Sequence, residues 1–258
     1  MKTVLLAGGL GTRLREETEF RPKPMVPIGN FPILWHIMKT YAHYSQTDFI
    51  VCTGYKGEVI SQYFHDFAAH NLDFTVTLGN QSKPNYIGSL DESNWKITVA
   101  HTGPHTPTGG RIFKVRDHVG RDAFMCTYGD GVANIDISKL MNYHRSSGKI
   151  ATLTAVQPPS RFGVIDILES GIVEKFREKP ISDTWINAGY FVFEPEIFDY
   201  LDENSTLEGE PLAELAKIGQ VAAFKHSGYW QPMDTFRETQ LLNDLWERNV
   251  APWKVWNS

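Results

Sequence analysis

A glycine-rich turn follows the first apolar run of the chain. The segment "LLAGGLGTRL" places Gly8, Gly9 and Gly11 directly after a short strand-like stretch. Bare backbone amides at the start of a helix bind phosphate well, because their N–H groups point at the anion. The guanidinium of Arg13 suits two phosphate oxygens at once, and Lys23, held between two prolines, supplies a second cation with little backbone freedom. Together these residues predict a site for a polyphosphate.

Two common phosphate-binding patterns do not describe this turn. The dinucleotide pattern G-x-G-x-x-G needs a third glycine where the chain has Leu14. The Walker pattern needs a glycine where Arg13 stands, followed by Lys-Ser or Lys-Thr. On glycines alone, a tight strand-to-helix turn without a ligand is the alternative. The two cations favour phosphate binding.

Three further charged side chains occur in sequence patterns that fit either a functional-site residue or a purely structural one. Asp130 stands between two glycines after an apolar run, which suits a metal ligand or an Asx turn. Asp234 precedes the last helical stretch, where an aspartate can cap the helix. Lys179 precedes a proline and could be an ordinary exposed lysine. From the residues alone, these alternatives stay open.

The segments around these residues alternate between strand-like and helical patterns. "TVLLAG", "DFIVCTG" and "AFMCTYGDG" are short apolar runs typical of buried parallel strands. Between them, apolar residues recur at helical spacing after Pro32, in the first turn of a helix, and again from Val59 to Phe67. This succession predicts an α/β fold with a Rossmann-like, mixed but mainly parallel sheet that has helices on both faces.

Strands follow one another more closely in the second half of the chain. "IATLTAV", "FGVIDIL" and "INAGYFVF" leave little room for crossover helices, which indicates antiparallel additions and a smaller second lobe. Helical stretches are expected from Pro195, from Glu210 and from about Thr235. "DFTVTLG" alternates like a strand, and the residues after it, 80–94, are polar and rich in turn formers, so we expect a loop there. With no long linker in the sequence, residues 1–258 are expected to form a single domain.

Composition excludes several classes of partner. The 258 residues are 41% hydrophobic and carry a formal net charge of −5 with the signs interspersed. Without a basic block, we expect no nucleic-acid partner, and any phosphate should belong to a small molecule. No window reaches the ~18 consecutive apolar residues that a membrane span requires. Cys52 and Cys126 lie in apolar runs, which favours reduced thiols and a cytoplasmic protein.

The motifs together resemble a known family. "LAGGLGTRL" followed by "RPKPM" is similar to the signature of the sugar nucleotidyltransferases, which join a nucleoside triphosphate to a sugar 1-phosphate and release pyrophosphate. "TYGDGV", "RFGVIDI" and "EKP" extend the resemblance along the chain. "PILWHIMK", "GYKGEVI", "TGGRI", "ATLTAVQPPSRFG" and "WQPMDTFRE" resemble the branch of the family that transfers a cytidylyl group to glucose 1-phosphate. The implied product is CDP-glucose.

The resemblance implies a set of site residues in three groups. It assigns nucleotide contacts to Leu6, Ala7, Gly8, Gly9, Gly11, Thr12, Arg13, Lys23, Thr106, Gly109, Gly110, Arg111 and Gly129. It assigns sugar-phosphate contacts to Phe162, Gly163, Glu178, Lys179 and Asn187. It implies Mg²⁺ as the cofactor, with Asp130 and Asp234 as ligands, and catalytic roles for Arg13, Lys23, Asp130, Lys179 and Asp234. The nucleotide-binding part would span about residues 1–135, and the sugar-binding, metal-completing part about residues 136–258.

The chemistry expected of this set rests on positioning and charge. Magnesium commonly takes one or two carboxylates plus substrate phosphates, and two aspartates meet that need. An oxygen of the sugar phosphate would attack the α-phosphorus of the nucleotide in line with the leaving pyrophosphate. No general base is required, because a phosphate monoester with a second pKa of about 6 is already anionic near neutral pH.

Other functions and assemblies fit parts of the sequence. Uridylyl or thymidylyl transfer to a related sugar phosphate is one alternative, and a catalytically silent nucleotide-sugar sensor is another. A glycosyltransferase is disfavoured because Val132, rather than a second acid, follows two residues after Asp130. The aromatic C-terminus, with Trp246, Trp253 and Trp256, indicates internal packing or a subunit contact. We expect a homo-oligomer that binds small-molecule substrates.

Overall fold

The computed structural model describes residues 1–12, 14–79, 83–160 and 162–256, without the side chains of Arg15 and Glu16. The strands, in chain order, are β1 (Lys2–Ala7), β2 (Pro27–Ile28), β3 (Phe31–Pro32), β4 (Asp48–Thr53), β5 (Asp73–Thr75), β6 (Asn85–Ile87), β7 (Lys96–His101), β8 (Phe124–Tyr128), β9 (Gly131–Ala133), β10 (Ala151–Val156), β11 (Val164–Ile167), β12 (Val173–Arg177), β13 (Ile186–Phe193), β14 (Val221–Lys225) and β15 (Trp230–Pro232). The α-helices are α1 (Arg15–Thr18), α2 (Ile33–His43), α3 (Gly57–His65), α4 (Phe67–Asn71), α5 (Thr108–Lys114), α6 (Arg116–Val119), α7 (Ile137–Ser147), α8 (Glu210–Lys217) and α9 (Phe236–Glu247). Short 3-10 helices cover Lys23–Met25 and Pro195–Tyr200.

A seven-stranded sheet forms the centre of the fold, in the order β14-β10-β13-β8-β1-β4-β7. β1 pairs in parallel with β4 and β8, β4 pairs in parallel with β7, and β10 with β14. β13 runs antiparallel to both of its neighbours, β10 and β8. The prediction of a mixed but mainly parallel sheet is therefore confirmed, with β13 as its reversed strand.

Side chains of β1 alternate between two hydrophobic cores. Leu5 packs in one core with Ile37 of α2 and with residues of α9. Leu6 packs in the other with Ile112 of α5 and Leu215 of α8. Burial on both faces explains why the run "TVLLA" has no polar face, and it confirms helices on both sides of the sheet.

Short antiparallel pairs of strands lie outside the central sheet. β11 and β12 form a hairpin in which Val164 lies opposite Arg177, and β9 pairs with β15. These pairs confirm the smaller antiparallel addition expected in the second half of the chain. The segment from Pro195 is a 3-10 helix rather than an α-helix, and Pro32 precedes α2 instead of lying in its first turn.

The expected loop at residues 80–94 is partly wrong. Asn85–Ile87 form β6, which pairs antiparallel with β5, so Phe74 lies opposite Tyr86. Positions 80–82 lie outside the described residues. β5 covers only the first part of the run "DFTVTLG", and all its residues are exposed. Alternating polarity indicated the first strand, but the turn-forming residues around Asn85–Ile87 hid the second one.

The parallel strands bring their carboxyl ends to one edge of the sheet. β1 ends at Ala7 and β8 at Tyr128, with Leu6 in register with Tyr128. The amide of Gly129 continues this pairing by donating to the carbonyl of Leu6 over 3.2 Å. The glycine turn and the aspartate after β8 therefore emerge side by side, where ligands bind in open α/β sheets.

The C-terminal segment is anchored to α2 through a buried histidine. The Nε2 atom of His36 lies 2.9 Å from the carbonyl oxygen of Ile28, and the indole N–H of Trp253 donates to its Nδ1 over 3.4 Å. Trp246 contacts the same imidazole edge-on. Trp253 and Trp256 are buried, so these tryptophans serve internal packing, one of the two roles expected for them.

We expect stability to fall on acidification because of His36. Burial lowers the pKa of this imidazole to about 4 from its ordinary 6.5. The unfolded chain takes up a proton near pH 6.5 and the folded chain does so only near pH 4, so stability is lost between these values, by about 3 kcal/mol at most. Urea unfolding at pH 7.5 and 4.5 measures the loss.

The matched variants for this measurement are two substitutions in α2. His36→Gln removes the titrating group and should shrink the difference in unfolding free energy between the two pH values. His43→Gln, at an exposed position of the same helix, should keep the wild-type difference. An unchanged pH dependence in His36→Gln would contradict the assignment.

Candidate active site

A cavity of about 370 Å³ opens at the carboxyl ends of β1 and β8. It brings together most of the predicted nucleotide contacts and both predicted metal ligands. Its lining includes Leu6, Gly8, Gly9, Gly11, Thr12, Lys23, Thr106, Arg111, Gly129, Asp130 and Asp234. Arg13 lies outside the described residues. Long-range folding thus places side chains more than two hundred residues apart in sequence around one space.

The glycine turn presents open backbone to this cavity. A Cβ atom at Gly9 would meet no other atom within 4 Å, so a ligand can approach the main chain there. Gly11 has φ +62, and a Cβ at this position would lie 2.6 Å from the Cγ2 atom of Thr18. The hydroxyl of Thr18 donates to the carbonyl of Gly11 over 3.1 Å. The turn therefore needs glycine for its shape as well as for ligand access.

Hydrogen bonds from Arg111 hold the glycine turn against the ends of the neighbouring strands. Its Nη2 donates to the carbonyl of Gly8 over 2.9 Å, while Nη1 lies 3.0 Å from the carbonyl of Thr53 and 2.8 Å from that of Gly103. The Oγ1 of Thr102 accepts from Nη1 over 2.7 Å. Burial lowers the pKa of this guanidinium. Arg111 lines the cavity as expected for a nucleotide contact, but its donors bind the ends of neighbouring strands.

Close packing explains three other glycines near the turn. A Cβ at Gly8 would lie 2.2 Å from the Cζ of Arg111. Gly109 and Gly110 start α5, where a Cβ would lie 2.7 Å from the carbonyl oxygen of Ser205 and 2.2 Å from that of Glu203. The structure does not bring Gly109, Gly110 or Ala7 to the cavity wall. The "TGG" sequence is required here for contact between two chain segments.

Lys23 binds both candidate metal ligands. It lies between two prolines at the start of a 3-10 helix, and its ammonium donates to Oδ2 of Asp130 over 2.7 Å and to Oδ1 of Asp234. Its side chain is only 10% exposed. Burial lowers the pKa of Lys23, but the two carboxylates raise it more, and the net direction is upward. The lysine is therefore a fixed cation at neutral pH.

The two aspartates reach this point from different elements. Asp130 lies two residues after the end of β8. Asp234 follows β15, which pairs with β9, and the amide of Met233 donates to the carbonyl of Asp130 over 2.8 Å. Thr235 and Glu238 form a capping box at the start of α9 that fixes the chain beside Asp234. The helix is capped by Thr235, and Asp234 lines the cavity, where its Oδ1 accepts a hydrogen bond from Lys23.

The donor set suits a hard divalent cation. Two carboxylates that contact the same ammonium are close enough to share one ion, and magnesium takes its remaining ligands from water and substrate phosphates. Within the described ranges, no cluster of three or more metal-ligating side chains occurs. A site completed by phosphate oxygens is consistent with both observations.

A second, larger cavity of about 740 Å³ adjoins the first and shares Tyr128, Asp130 and Asp234 with it. Two of the predicted sugar-phosphate contacts, Lys179 and Asn187, line it. Side chains that the sequence reasoning did not assign also line it: Trp230, Gln231, Arg237, Glu238 and Leu241. Four of them lie in the motif "WQPMDTFRE", which was the feature of the sequence that could have indicated them.

The remaining predicted sugar-phosphate residues do not line this cavity. Phe162 is 78% exposed, and neither Gly163 nor Glu178 lines the cavity wall. The carboxylate of Glu178 lies 3.2 Å from the ammonium of Lys179. Gly163 and Glu178 are close to each other, since a Cβ at Gly163 would lie 3.3 Å from Oε2 of Glu178. The structure groups these residues beside the cavity rather than inside it.

A chain of hydrogen bonds joins the two cavities. The hydroxyl of Tyr128 donates to Glu208 and accepts from the amide Nδ2 of Asn187 over 3.3 Å. The hydroxyl of Thr108, at the first cavity, donates to Glu208 over 2.6 Å. Burial raises the pKa of Tyr128, and the bond to Glu208 raises it further. Tyr128 therefore remains protonated at neutral pH and links the two binding spaces.

The nucleotidyl transferase family model matches residues 2–237, which include both cavities' shared aspartates. The chain belongs to this nucleotidyl transferase family. The resemblance seen in the sequence motifs is thereby confirmed. In the described part of the chain, no helix is long and apolar enough to cross a bilayer.

Curated members of the family extend the likeness over nearly the whole chain. A protein of Salmonella typhi named glucose-1-phosphate cytidylyltransferase is 49% identical over 259 residues, which cover 99% of this chain and 100% of that protein. A probable glucose-1-phosphate cytidylyltransferase of Bacillus subtilis (strain 168) is 44% identical over 259 residues, with the same coverage.

Solved structures at lower sequence identity share the fold. HddC from Yersinia pseudotuberculosis superposes with a TM-score of 0.68 at 22% identity, covering 95% of this chain and 99% of that one. A putative glucose-1-phosphate thymidylyltransferase from Bacillus anthracis gives a TM-score of 0.67 at 21% identity, covering 95% and 94%. These likenesses confirm the α/β architecture.

Proposed function

We propose that the protein joins CTP and α-D-glucose 1-phosphate to give CDP-glucose and pyrophosphate. The observation that carries the proposal is the pair of adjoining cavities that share Asp130 and Asp234. One cavity has the glycine turn that suits a triphosphate, and the other has room for a sugar phosphate beside it. Identity of 49% to a protein named glucose-1-phosphate cytidylyltransferase, over nearly all of both chains, supports the choice of substrates.

In this proposal the nucleotide triphosphate lies along the glycine turn. Amides near Gly9 donate to its oxygens, and Arg13 and Lys23 offset its charge. The sugar phosphate enters from the second cavity, where Lys179 reduces the repulsion between the two anions. One of its oxygens attacks the α-phosphorus in line with the leaving pyrophosphate, without a general base. Positioning and charge stabilisation then account for most of the catalysis.

Asp130 and Asp234 would hold one Mg²⁺ in this arrangement, as the finer part of the proposal. When bound, the ion would supply charge stabilisation to the phosphates. The donor set supports it, because two carboxylates converge on a single cation position. Tyr128 and Asn187 are proposed to orient the sugar phosphate relative to the nucleotide, since their hydrogen bonds join the two cavities.

Base choice must come from outside the phosphate-binding turn, because phosphates are common to all nucleotides. Selection of cytosine needs an acceptor for its amino group, and a backbone carbonyl near the glycine turn or near Thr106–Arg111 could supply one. UTP would then bring a second acceptor to face that carbonyl.

We expect the specificity constant for CTP to exceed that for UTP by roughly 5- to 150-fold with glucose 1-phosphate and magnesium. Pyrophosphate release measured with CTP, UTP, dTTP, ATP and GTP separately gives the ratios. A preference for UTP or dTTP would overturn the cytidylyl assignment and leave nucleotidyl transfer standing. Release of no pyrophosphate with any of the five would favour the silent sensor.

We further propose one domain over residues 1–258 and assembly with further copies of the same chain in the cytoplasm. Apolar side chains such as Phe74, Ile87, Ile167 and Phe176 are exposed on the β5–β6 and β11–β12 hairpins, and a second copy would cover them.

The free, buried cysteines fit the reducing compartment proposed for the protein. Light scattering tests the assembly, a single unfolding transition tests the single domain, and cell fractionation tests the location.

A further inference from the structure

The ammonium of Lys23 occupies the position where the two shared carboxylates converge. It contacts Oδ2 of Asp130 at 2.7 Å and Oδ1 of Asp234, and it is nearly buried. A divalent cation bound by the same two carboxylates would therefore lie within a few ångströms of a fixed positive charge. Like charges at such separation repel strongly where water is largely excluded. The ammonium and a divalent cation therefore compete for the two carboxylates, and each weakens the binding of the other.

We propose that Lys23 is a resident counter-cation that keeps the metal site closed until a nucleotide arrives. In the absence of nucleotide, the ammonium neutralises Asp130 and Asp234 and excludes a divalent cation. When a triphosphate enters, its oxygens offer the ammonium another partner, and the carboxylates become available to the metal. The inference rests on the proposed function, because it needs a nucleotide in the first cavity.

The surroundings of Lys23 favour motion of the side chain and not of the backbone. Pro22 and Pro24 restrict the main chain on either side, and the residue lies in a short 3-10 helix. Its four-carbon stem can change rotamer, and the cavity beside it, lined by Gly8 and Gly9, gives the ammonium a place to go. A lysine serves this exchange better than an arginine would, because a point charge needs no fixed planar geometry.

The exchange makes metal binding and nucleotide binding depend on each other. A nucleotide that withdraws the ammonium raises the affinity of the carboxylates for metal. By thermodynamic linkage, the metal raises the affinity for nucleotide by the same factor. The protein then takes up nucleotide and metal together and does not store metal at Asp130 and Asp234 beforehand.

The test is a Mn²⁺ titration followed by electron paramagnetic resonance, without sugar phosphate and with or without CTP. Mn²⁺ serves as a probe because it shares the preference of magnesium for oxygen ligands. Lys23→Met removes the charge and keeps an unbranched side chain. We expect this variant to bind Mn²⁺ alone at least about tenfold more tightly than wild type, and CTP to enhance Mn²⁺ binding less.

Three further variants make the result specific. Lys23→Arg keeps a cation and should keep weak Mn²⁺ binding. Lys23→Met combined with Asp130→Asn should lose the gained affinity, which places the new binding at this site. Lys39→Met is the matched control: Lys39 also pairs with two acids, Asp91 and Glu92, but none of the three lines either cavity, so Mn²⁺ affinity at Asp130 should not change.

Two results would overturn the inference. One is Mn²⁺ binding by folded Lys23→Met that is no tighter than wild type. The other is tight Mn²⁺ binding by wild type without CTP. Both differ from failure of the proposed function, in which the wild-type protein would neither bind CTP in calorimetry nor release pyrophosphate. A wild-type protein that binds CTP and turns it over, with Lys23→Met unchanged toward Mn²⁺, would reject this inference alone.

Discussion

Asp130→Asn is expected to lower kcat for CDP-glucose formation by about 10²-fold or more, and Asp234→Asn by a similar factor. Each substitution removes one of the two charges that converge beside the glycine turn. The amide is nearly isosteric and still accepts a hydrogen bond from Lys23, so the fold should be kept. Turnover is measured at saturating and at limiting magnesium, with the deficit larger at limiting magnesium.

Asp91→Asn is the matched control for these two variants. Asp91 also pairs with a lysine, Lys39, over 3.4 Å, but it lies outside both cavities. It should leave kcat unchanged. Near-normal turnover of either site variant at limiting magnesium would show that its carboxylate is not a ligand.

Arg111→Lys is expected to lower kcat/KM for CTP by about 10²-fold, although the charge is retained. The guanidinium bonds to Gly8, Thr53, Thr102 and Gly103 at once, and an ammonium cannot reproduce that fork. Each lost charge-assisted bond costs about 1 to 3 kcal/mol, although the amide of Tyr55 still donates to Gly8 and that of Thr102 to Thr53. The glycine turn should shift, and displacement of a positioning element by about 1 Å can cost 10²-fold in rate.

Two readouts separate positioning by Arg111 from direct contact with the base. Positioning of the phosphate-binding turn affects all nucleotides alike, so the CTP-to-UTP ratio should stay at its wild-type value. The KM for glucose 1-phosphate at saturating CTP should change little, since the second cavity is not touched. A changed ratio would contradict positioning and indicate contact with the base. Arg116→Lys, at an exposed arginine just beyond α5, is the control and should behave as wild type.

Much of the fold was predictable because the signals are local. "TVLLAG" has no polar face, and it forms β1, buried on both sides. The helical spacing after Pro32 gives α2, and the helix expected from about Thr235 is α9, although its cap is Thr235 and not Asp234. The β5–β6 hairpin was predicted only in part, because alternation indicated β5 whereas β6 is three exposed residues among turn formers.

The contents of the candidate site were predicted better than their arrangement. Glycines and cations in the first 25 residues indicated phosphate, but spacing says nothing about partners 107 and 211 residues away, where Asp130 and Asp234 bind Lys23. Arg111 was expected at the nucleotide, yet its donors bind strand ends that only the folded sheet brings together. Arg237 lines the second cavity only because tertiary packing places α9 beside it, and the local sequence does not show this packing.

Cytidylyl transfer to the sugar phosphate is tested most directly by following labelled oxygen through a single reaction. Glucose 1-phosphate with ¹⁸O at its three non-bridging oxygens is mixed with magnesium and equal amounts of CTP, UTP, dTTP, ATP and GTP, and the products are weighed by mass spectrometry. Attack of the sugar phosphate on the α-phosphorus keeps every labelled oxygen in the nucleotide sugar. We predict CDP-glucose as the main product, with all three ¹⁸O atoms, and unlabelled pyrophosphate. A different main nucleotide sugar, label in the pyrophosphate or absence of any nucleotide sugar would contradict the account.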